Sequence, residues 1–107
     1  MPHTIQELTT LVMDQAKAKG FGTKPEEVNV AEKIALIHSE VSEAYEAYRK
    51  KDMNGPHGFA AELGDALQRI LHLCGIFNID VEAAATKKIA ANASRDWDWK
   101  NLNEQHA

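Results

Sequence analysis

Two stretches with helical hydrophobic periodicity lie on either side of one strong break, and this arrangement limits the fold more than any other feature. Apolar residues recur at helical spacing from about Val30 to Lys50 and again from about Phe59 to Phe77. The segment between them, KDMNGPHG at residues 51–58, combines glycine and proline, which interrupt helices. The pattern therefore predicts two antiparallel helices joined at this segment as a hairpin.

Two further helices are predicted outside the hairpin, and no segment has the pattern of a strand. The first runs from about Ile5 to Lys19, where nearby glycines end it. The last follows Asp80, a good N-cap residue, and ends near Ser94. The 107 residues thus predict a single all-α domain, a four-helix bundle, with a tail at residues 98–107 that has no period and is expected to be partly mobile.

Composition excludes several classes of protein. No apolar run approaches the roughly 20 residues of a membrane-spanning helix, and the N-terminus lacks the basic and apolar regions of a secretion signal. A single cysteine, Cys74, excludes an internal disulfide and suits a reducing compartment. The formal net charge of -4 argues against binding to a nucleic acid polymer, which requires a basic face. We therefore expect a cytoplasmic protein with no membrane or nucleic acid polymer as partner.

Each helix of the predicted hairpin carries two acids one turn apart, beside its apolar stripe. On a helical wheel, Glu40 and Glu43 lie on one shoulder of the stripe, and Glu62 and Asp65 lie on the same shoulder of the next helix. We expect the stripes to be buried and the four carboxylates to face one another across a partly buried groove. Gly64, which weakens a helix, would let another helix or a ligand approach closely. The stripes comprise Ile34, Ile37, Val41, Ala44, Tyr45 and Tyr48, followed by Phe59, Leu63, Ala66, Leu67, Ile70, Cys74 and Phe77.

Four clustered carboxylates cannot all stay ionised without a counter-charge, and a divalent cation would supply it. Oxygen ligands suit Mg²⁺, with Mn²⁺ as a possible substitute. A calcium loop does not fit because the acids lie on helices, and a di-iron site fits poorly because the Glu-x-x-His pattern is missing. The competing interpretation is a solvated helix face, which charged residues beside an apolar stripe usually form.

The sequence around these acids resembles the MazG-like branch of the all-α nucleoside triphosphate pyrophosphatases. The resemblance covers residues 31–97 and rests on the ExxE and ExxD pairs, on the turn Asn-Ile-Asp-Val-Glu and on the pattern K-x3-N-x2-R. Lys88, Asn92 and Arg95 form that last pattern. The resemblance implies a MazG-like helical bundle that assembles as a homodimer or homotetramer, with active sites that draw on more than one subunit.

An activity is also implied by the resemblance: Mg²⁺-dependent hydrolysis of a (deoxy)nucleoside triphosphate to the monophosphate and pyrophosphate, as in cleansing of the nucleotide pool. The metal site would consist of Glu40, Glu43, Glu62 and Asp65. A water molecule must lose a proton as it attacks, and either Glu40 or Glu43 could act as the base while the other acids hold metal. The residues do not distinguish between these two.

The polar residues of the last helix are candidates for binding the substrate. Lys88, Asn92 and Arg95 are spaced at i, i+4 and i+7 and therefore share one helical face. Lys88 and Arg95 would bind the outer phosphates, and the side-chain amide of Asn92 would contact a phosphate or the sugar. Lysine and arginine near a helix C-terminus are also favourable with the helix dipole, however, and need no ligand there.

Several other side chains have both a functional and a purely structural interpretation. Phe21, Trp97 and Trp99 could stack on a base, but we expect them to pack against the bundle. His72 could reach the acids, although a lone histidine is more often a satisfied or exposed side chain. Arg69 lies between the two acids of its helix on the wheel and could simply pair with one of them.

Two other functions account for the same residues. One is phosphoribosyl-ATP pyrophosphatase, a relative with the same bundle and acidic motif. The other is a non-enzymatic helical interaction module in which the acids form a solvated face. Neither the preferred base nor the choice between dimer and tetramer follows from this sequence.

Overall fold

The computed structural model describes residues 2–95 and is built from helices. Its elements are α1 (Ile5–Lys19), a 3-10 helix (Pro25–Glu27), α2 (Val30–Arg49), α3 (Phe59–Ile76) and α4 (Val81–Ala93). No strand occurs in this part of the chain, so the all-α prediction is confirmed. Trp97, Trp99 and the tail at residues 98–107 lie outside the described residues.

Side-chain caps determine where three of the helices begin. The side chains of Asn29 and Asp80 each accept a hydrogen bond of 3.0 Å from the N–H of the third residue in α2 and α4. Thr4 and Glu7 form a reciprocal capping box at the start of α1. Each such cap satisfies an N–H group that has no partner inside the helix and contributes about 1 kcal/mol.

Left-handed residues end α1 and α3. Gly20 has a φ of 74° and donates its N–H to the carbonyl of Ala16, which closes the last turn of α1. Asn78, with a φ of 55°, follows α3 and turns the chain toward α4. Both residue types tolerate this conformation better than others do, which explains why the helices stop at these positions.

The predicted hairpin is present, and its helices run antiparallel. Near the turn, the rings of Tyr48 and Phe59 pack with centroids 5.7 Å apart. Farther from the turn, Glu40 contacts Arg69, so the chain direction of α3 opposes that of α2. Asp52 fixes the turn itself, because its side chain accepts a hydrogen bond of 2.9 Å from the N–H of Gly55.

Small side chains are frequent where the helices of the described chain pack together. α1 and α2 both pack on α3, and most of the buried apolar residues are alanines. Gly75 of α3 faces Met13 of α1 so closely that a Cβ atom at position 75 would overlap the thioether. The helices can therefore approach closely, and the core is small. Its buried apolar residues are Ala16, Ala44, Ala47, Ala66, Leu71 and Ile76.

The bulky part of the two apolar stripes is exposed, which corrects the expectation that the stripes form buried faces. Tyr45 is 62% exposed and Val41 is 52% exposed. The reason is that α2 presents its small residues, Ala44 and Ala47, toward α3, and this rotation leaves the larger side chains outside. The exposed members are Ile34, Val41, Tyr45, Tyr48, Leu63, Leu67, Ile70 and Phe77.

The last helix is only loosely attached to the rest of the described chain. α4 contains no buried residue, and its main contacts are with α1. Ile89, near its middle, is 68% exposed. Within residues 2–95, none of the helices combines the length and apolar character required to cross a membrane.

Candidate metal centre

Three acids from the two hairpin helices meet at one point. Glu40 comes from the middle of α2, Glu62 from the first turn of α3, and Asp65 from the next turn of α3. One carboxylate oxygen of each lies within 4.8 Å of the other two. Antiparallel packing brings the two motifs to the same level, and this acidic triad could hold a metal ion.

Glu43, the fourth predicted ligand, lies beside the triad rather than in it. It is exposed, one turn beyond Glu40 on α2. Its carboxylate is nevertheless close enough to interact with those of Glu40 and Glu62. The structure therefore brings all four predicted acids into one neighbourhood, but it gives them unequal positions.

Two of these acids are buried, which a solvated helix face does not explain. Glu40 is 9% exposed and Glu62 is 7% exposed, whereas Asp65 is open to solvent. The Oε2 atom of Glu40 is enclosed and accepts no hydrogen bond from the described residues. A buried carboxylate oxygen without a partner is costly, so this atom is suited to a ligand that the protein itself does not supply.

The triad has one strong cationic partner, Arg69, and one weak partner, His57, which is charged only when it is protonated. Arg69 of α3 donates a hydrogen bond of 3.0 Å from Nε to Oε1 of Glu40. The Nδ1 atom of His57 lies 4.0 Å from Oε1 of Glu62, but the His57 side chain is 90% exposed. Arg69 therefore neutralises Glu40, while solvent screens most of what His57 contributes to Glu62.

The two buried carboxyl groups have pKa values shifted in opposite directions. Burial raises the pKa of Glu62, and the nearby carboxylates of Glu40 and Glu43 raise it further. Burial alone would also raise the pKa of Glu40, but the hydrogen bond and charge of Arg69, together with side-chain interactions with Glu62 and Glu43, outweigh that effect and lower it. A divalent cation would favour the ionised form of both groups.

A cavity of about 240 Å³ opens beside the triad. Small-molecule sites usually measure about 300–1,000 Å³, so the cavity within one chain is smaller than a complete nucleotide pocket. It has room for an ion with its waters and for part of a substrate. Its walls come from α1, the following loop, α2 and α3, through Val12, Gln15, Ala16, Phe21, Glu40, Asp65, Gln68, Arg69 and His72.

His72 and Phe21 are among the residues that line this cavity. The buried His72 ring places Nε2 2.8 Å from the carbonyl oxygen of Gly22, and since a carbonyl can only accept, Nε2 carries the proton. This bond holds the loop after α1 against α3. Phe21, in the same loop, lines the cavity and is 54% exposed, so the packing expected for it is incomplete in the described chain.

One contact between residues that line the cavity could not be expected from the sequence pattern. Gln68 donates a hydrogen bond of 3.0 Å to the side chain of Gln15, which links α3 to α1 at the cavity. The two residues are 53 positions apart, and glutamine is common on exposed helix faces. Only the packing of α1 against α3, which periodicity does not specify, brings them together.

The predicted phosphate-binding residues are not brought to the acids within one chain. Lys88 and Asn92 lie on α4, and Arg95 follows its end. Because α4 packs mainly on α1, no α4 residue of the described chain lines the cavity beside the triad. Their predicted role therefore depends on a second subunit or on a rearrangement of α4.

Gly64 is not approached by another helix within the described residues. A Cβ atom at this position would have no neighbouring atom within 4 Å. The glycine instead lies in an apolar groove of about 510 Å³ between α1 and α3, with Leu8, Leu11 and Leu67 among its neighbours. The close approach expected from the sequence is thus absent here.

Comparison of this chain with protein-family models, with curated proteins and with solved structures finds no match.

Proposed function

We propose that this chain is a Mg²⁺-dependent nucleoside triphosphate pyrophosphohydrolase, which releases pyrophosphate from a (deoxy)nucleoside triphosphate and leaves the monophosphate. The main observation in support is the convergence of Glu40, Glu62 and Asp65 within 4.8 Å, with two of the three buried. Arg69 compensates only Glu40, so the burial of Glu62 beside it is unfavourable without a further counter-ion, which favours a metal site over a solvated face. The likeness of these motifs to the MazG-like branch supports the substrate class.

The donor set fits a hard divalent cation. Carboxylate oxygens of Glu40, Glu62 and Asp65 would hold Mg²⁺, with Mn²⁺ as a substitute, and Glu43 is close enough to contribute. When bound, the ion supplies positive charge between the acids and the polyphosphate. Asp65 and Glu43 are exposed, so the site is open to an ion that arrives with its substrate.

Glu43 is the better candidate for the general base. Glu40 is buried and accepts a hydrogen bond from Arg69, and its pKa is lowered. Its carboxylate therefore accepts a proton poorly. Glu43 is exposed and lies next to the triad, where it can take a proton from a water molecule. The oxygen of that water bonds to the α-phosphorus, the bond from this phosphorus to the bridging oxygen breaks, and pyrophosphate leaves.

A homo-oligomer, dimer or tetramer, would complete the site. The exposed apolar residues of α2 and α3 form a surface of the kind that usually marks an interface. The cavity of about 240 Å³ is small for a nucleotide, and the phosphate-binding candidates Lys88, Asn92 and Arg95 lie away from it. If a neighbouring subunit supplied these three residues, it would both enlarge the pocket and bring the phosphate-binding candidates to the acids.

A product assay tests the function. The protein would be incubated with Mg²⁺ and a panel of common and modified nucleoside triphosphates together with phosphoribosyl-ATP, and the products would be separated by chromatography. Pyrophosphate and a nucleoside monophosphate are the expected products. Cleavage of phosphoribosyl-ATP alone would replace the proposed substrate class with that one.

Calorimetry tests the non-enzymatic alternative. We expect a nucleotide with a non-hydrolysable α,β linkage to bind only when Mg²⁺ is present. If no member of the panel is hydrolysed and the analogue shows no metal-dependent binding, the proposed activity is refuted and the interaction module is favoured.

A further inference from the structure

Arg69 lines the cavity together with Glu40 and Asp65 of the acidic triad, and it uses only part of its hydrogen-bonding capacity. Its Nε atom donates to Oε1 of Glu40 at 3.0 Å. Among the described residues, this is the one hydrogen bond that the guanidinium group makes, so its terminal amino groups are not engaged there. The side chain is 38% exposed and lines the cavity, which leaves those amino groups accessible to a ligand.

Arg69 is also the one lysine or arginine among the residues that line this cavity in the described chain. The guanidinium group is planar, always charged and able to present two parallel N–H groups to a phosphate. A polyphosphate that shares a cation with Glu40 and Asp65 must pass close to this side chain. The position and the chemistry of Arg69 therefore suit an anionic ligand group.

We propose that Arg69 is a phosphate-binding residue that also serves as the counter-charge of Glu40 when metal and substrate are absent. This inference rests on the proposed function. Metal binding at Glu40 places a second positive charge beside the guanidinium, which weakens the pairing of Arg69 with Glu40. The guanidinium then turns its donors to the phosphate, so that Glu40 exchanges an arginine for a metal ion and the substrate gains a cation.

A purely structural role makes the opposite prediction for metal. If Arg69 only held Glu40 in position, its removal would weaken metal binding and would leave phosphate binding at saturating metal unchanged. If the proposed exchange is correct, removal of Arg69 strengthens the binding of metal alone, because a competing charge is lost. It also weakens the binding of a polyphosphate, because a donor is lost.

The test compares Arg69→Met, Arg69→Lys and a control, Arg49→Met, by calorimetric titration. The probes are Mn²⁺ alone and inorganic pyrophosphate at saturating Mn²⁺. Arg49 is an exposed arginine that pairs with Glu46, outside the cavity, so its replacement should change neither affinity. We expect Arg69→Met to bind Mn²⁺ at least about 3-fold more tightly and pyrophosphate at least about 10-fold more weakly than wild type.

The Arg69→Lys substitution keeps the positive charge but removes the planar guanidinium group with its two parallel N–H donors. It should bind Mn²⁺ within about 2-fold of wild type and pyrophosphate several-fold more weakly. This variant also keeps the test decisive if Arg69→Met fails to fold, since unchanged pyrophosphate affinity in Arg69→Lys would then overturn the proposal.

The remaining outcomes separate the two proposals. Weaker Mn²⁺ binding by Arg69→Met, or pyrophosphate affinity within about 2-fold of wild type, would overturn the role of Arg69 and leave the proposed function intact. Absence of Mn²⁺ binding by the wild-type protein, in the presence and absence of pyrophosphate, would overturn the proposed function and this inference together.

Discussion

Glu40 and Arg69 are 29 residues apart in sequence, yet one hydrogen bond of 3.0 Å joins them across the hairpin. The bond neutralises one of two buried acids and leaves the other, Glu62, without a comparable partner among the described residues. In the metal-free site, therefore, one buried carboxylate is paired with a strong cation and the other is not. This imbalance has consequences for stability as well as for binding.

Replacing Glu62 with glutamine should stabilise the metal-free protein at neutral pH. The substitution removes a buried carboxylate whose ionisation is opposed by burial and by its neighbours. We expect the midpoint of thermal unfolding to rise by a few degrees in the presence of a chelator. The same variant should lose the additional stabilisation that Mg²⁺ gives to the wild type, because a ligand is missing. A lower midpoint of thermal unfolding in the presence of the chelator would show that the buried Glu62 carboxylate does not destabilise the metal-free protein.

The gain in stability from Mg²⁺ should increase with pH. Because the folded pKa of Glu62 is raised above its ordinary value, this group stabilises the fold below that ordinary value, and the contribution is lost as pH rises through the folded pKa. Glu40 has a lowered pKa, so its contribution is present above the ordinary pKa of a glutamate and is lost as pH falls through the folded pKa. Thermal unfolding with and without Mg²⁺ should therefore differ more at about pH 7.5 than at about pH 5. An equal difference at both values would contradict the proposed coupling.

The exposed acids should matter for activity and little for folding. Asp65→Asn and Glu43→Gln are each expected to lower kcat by about 100-fold or more, since one removes a metal ligand and the other the proposed base. Both positions are exposed, so the unfolding midpoint should stay close to wild type. Glu46→Gln is the matched control, because Glu46 is an exposed acid on α2 that pairs with Arg49. Wild-type turnover in both variants would refute the site.

Two glycines of α3 should respond to alanine in opposite ways. Gly64→Ala fills open space on a helix and should raise the free energy of unfolding by up to about 1 kcal/mol. Gly75→Ala would overlap the side chain of Met13 and should lower the free energy of unfolding, because that side chain must leave its packed position. Denaturant unfolding of the two variants measures both effects. A destabilising Gly64→Ala would show instead that another chain approaches this position in solution.

A charge placed in the exposed apolar stripe should split the proposed oligomer. Val41 is 52% exposed on α2, and Val41→Asp would put a carboxylate into the expected interface. Light scattering after size exclusion should show a dimer or tetramer for wild type and a monomer for the variant. Ser42→Asp, one residue along on α2, is the control and should keep the wild-type mass. A monomeric wild type at the concentrations of the activity assay would contradict the proposed assembly.

Much of the fold follows from local signals in the sequence. The hairpin, the cap residues Asn29 and Asp80 and the meeting of Glu40 with Glu62 and Asp65 follow from helical periodicity, capping chemistry and a Gly-Pro break, which act over a few residues, whereas the fourth predicted acid, Glu43, lies beside the triad. The capping box at Thr4 has an equally local pattern, a threonine followed three residues later by a glutamate, and that pattern could have been identified.

The rest could not be predicted because it depends on how the helices rotate and cross. A wheel gives the angular position of a side chain, but it does not decide whether α2 turns its alanines or its tyrosines toward α3. The bond from Arg69 to Glu40 and the contact of His72 with Gly22 arise from that choice. The position of α4 is a further example, since its residues have no strong apolar face to specify a partner.

The sparse packing of α4 has a consequence for amide hydrogen exchange. A helix with no buried residue, attached mainly to α1, can open without disturbing the contact between α2 and α3. Its backbone amides should exchange with deuterium well before those around Leu71 and Ile76, whose side chains are fully enclosed. A polyphosphate bound by Lys88 and Arg95 would slow that exchange selectively, so isotope uptake along α4 would report occupancy of the site without any chemical turnover.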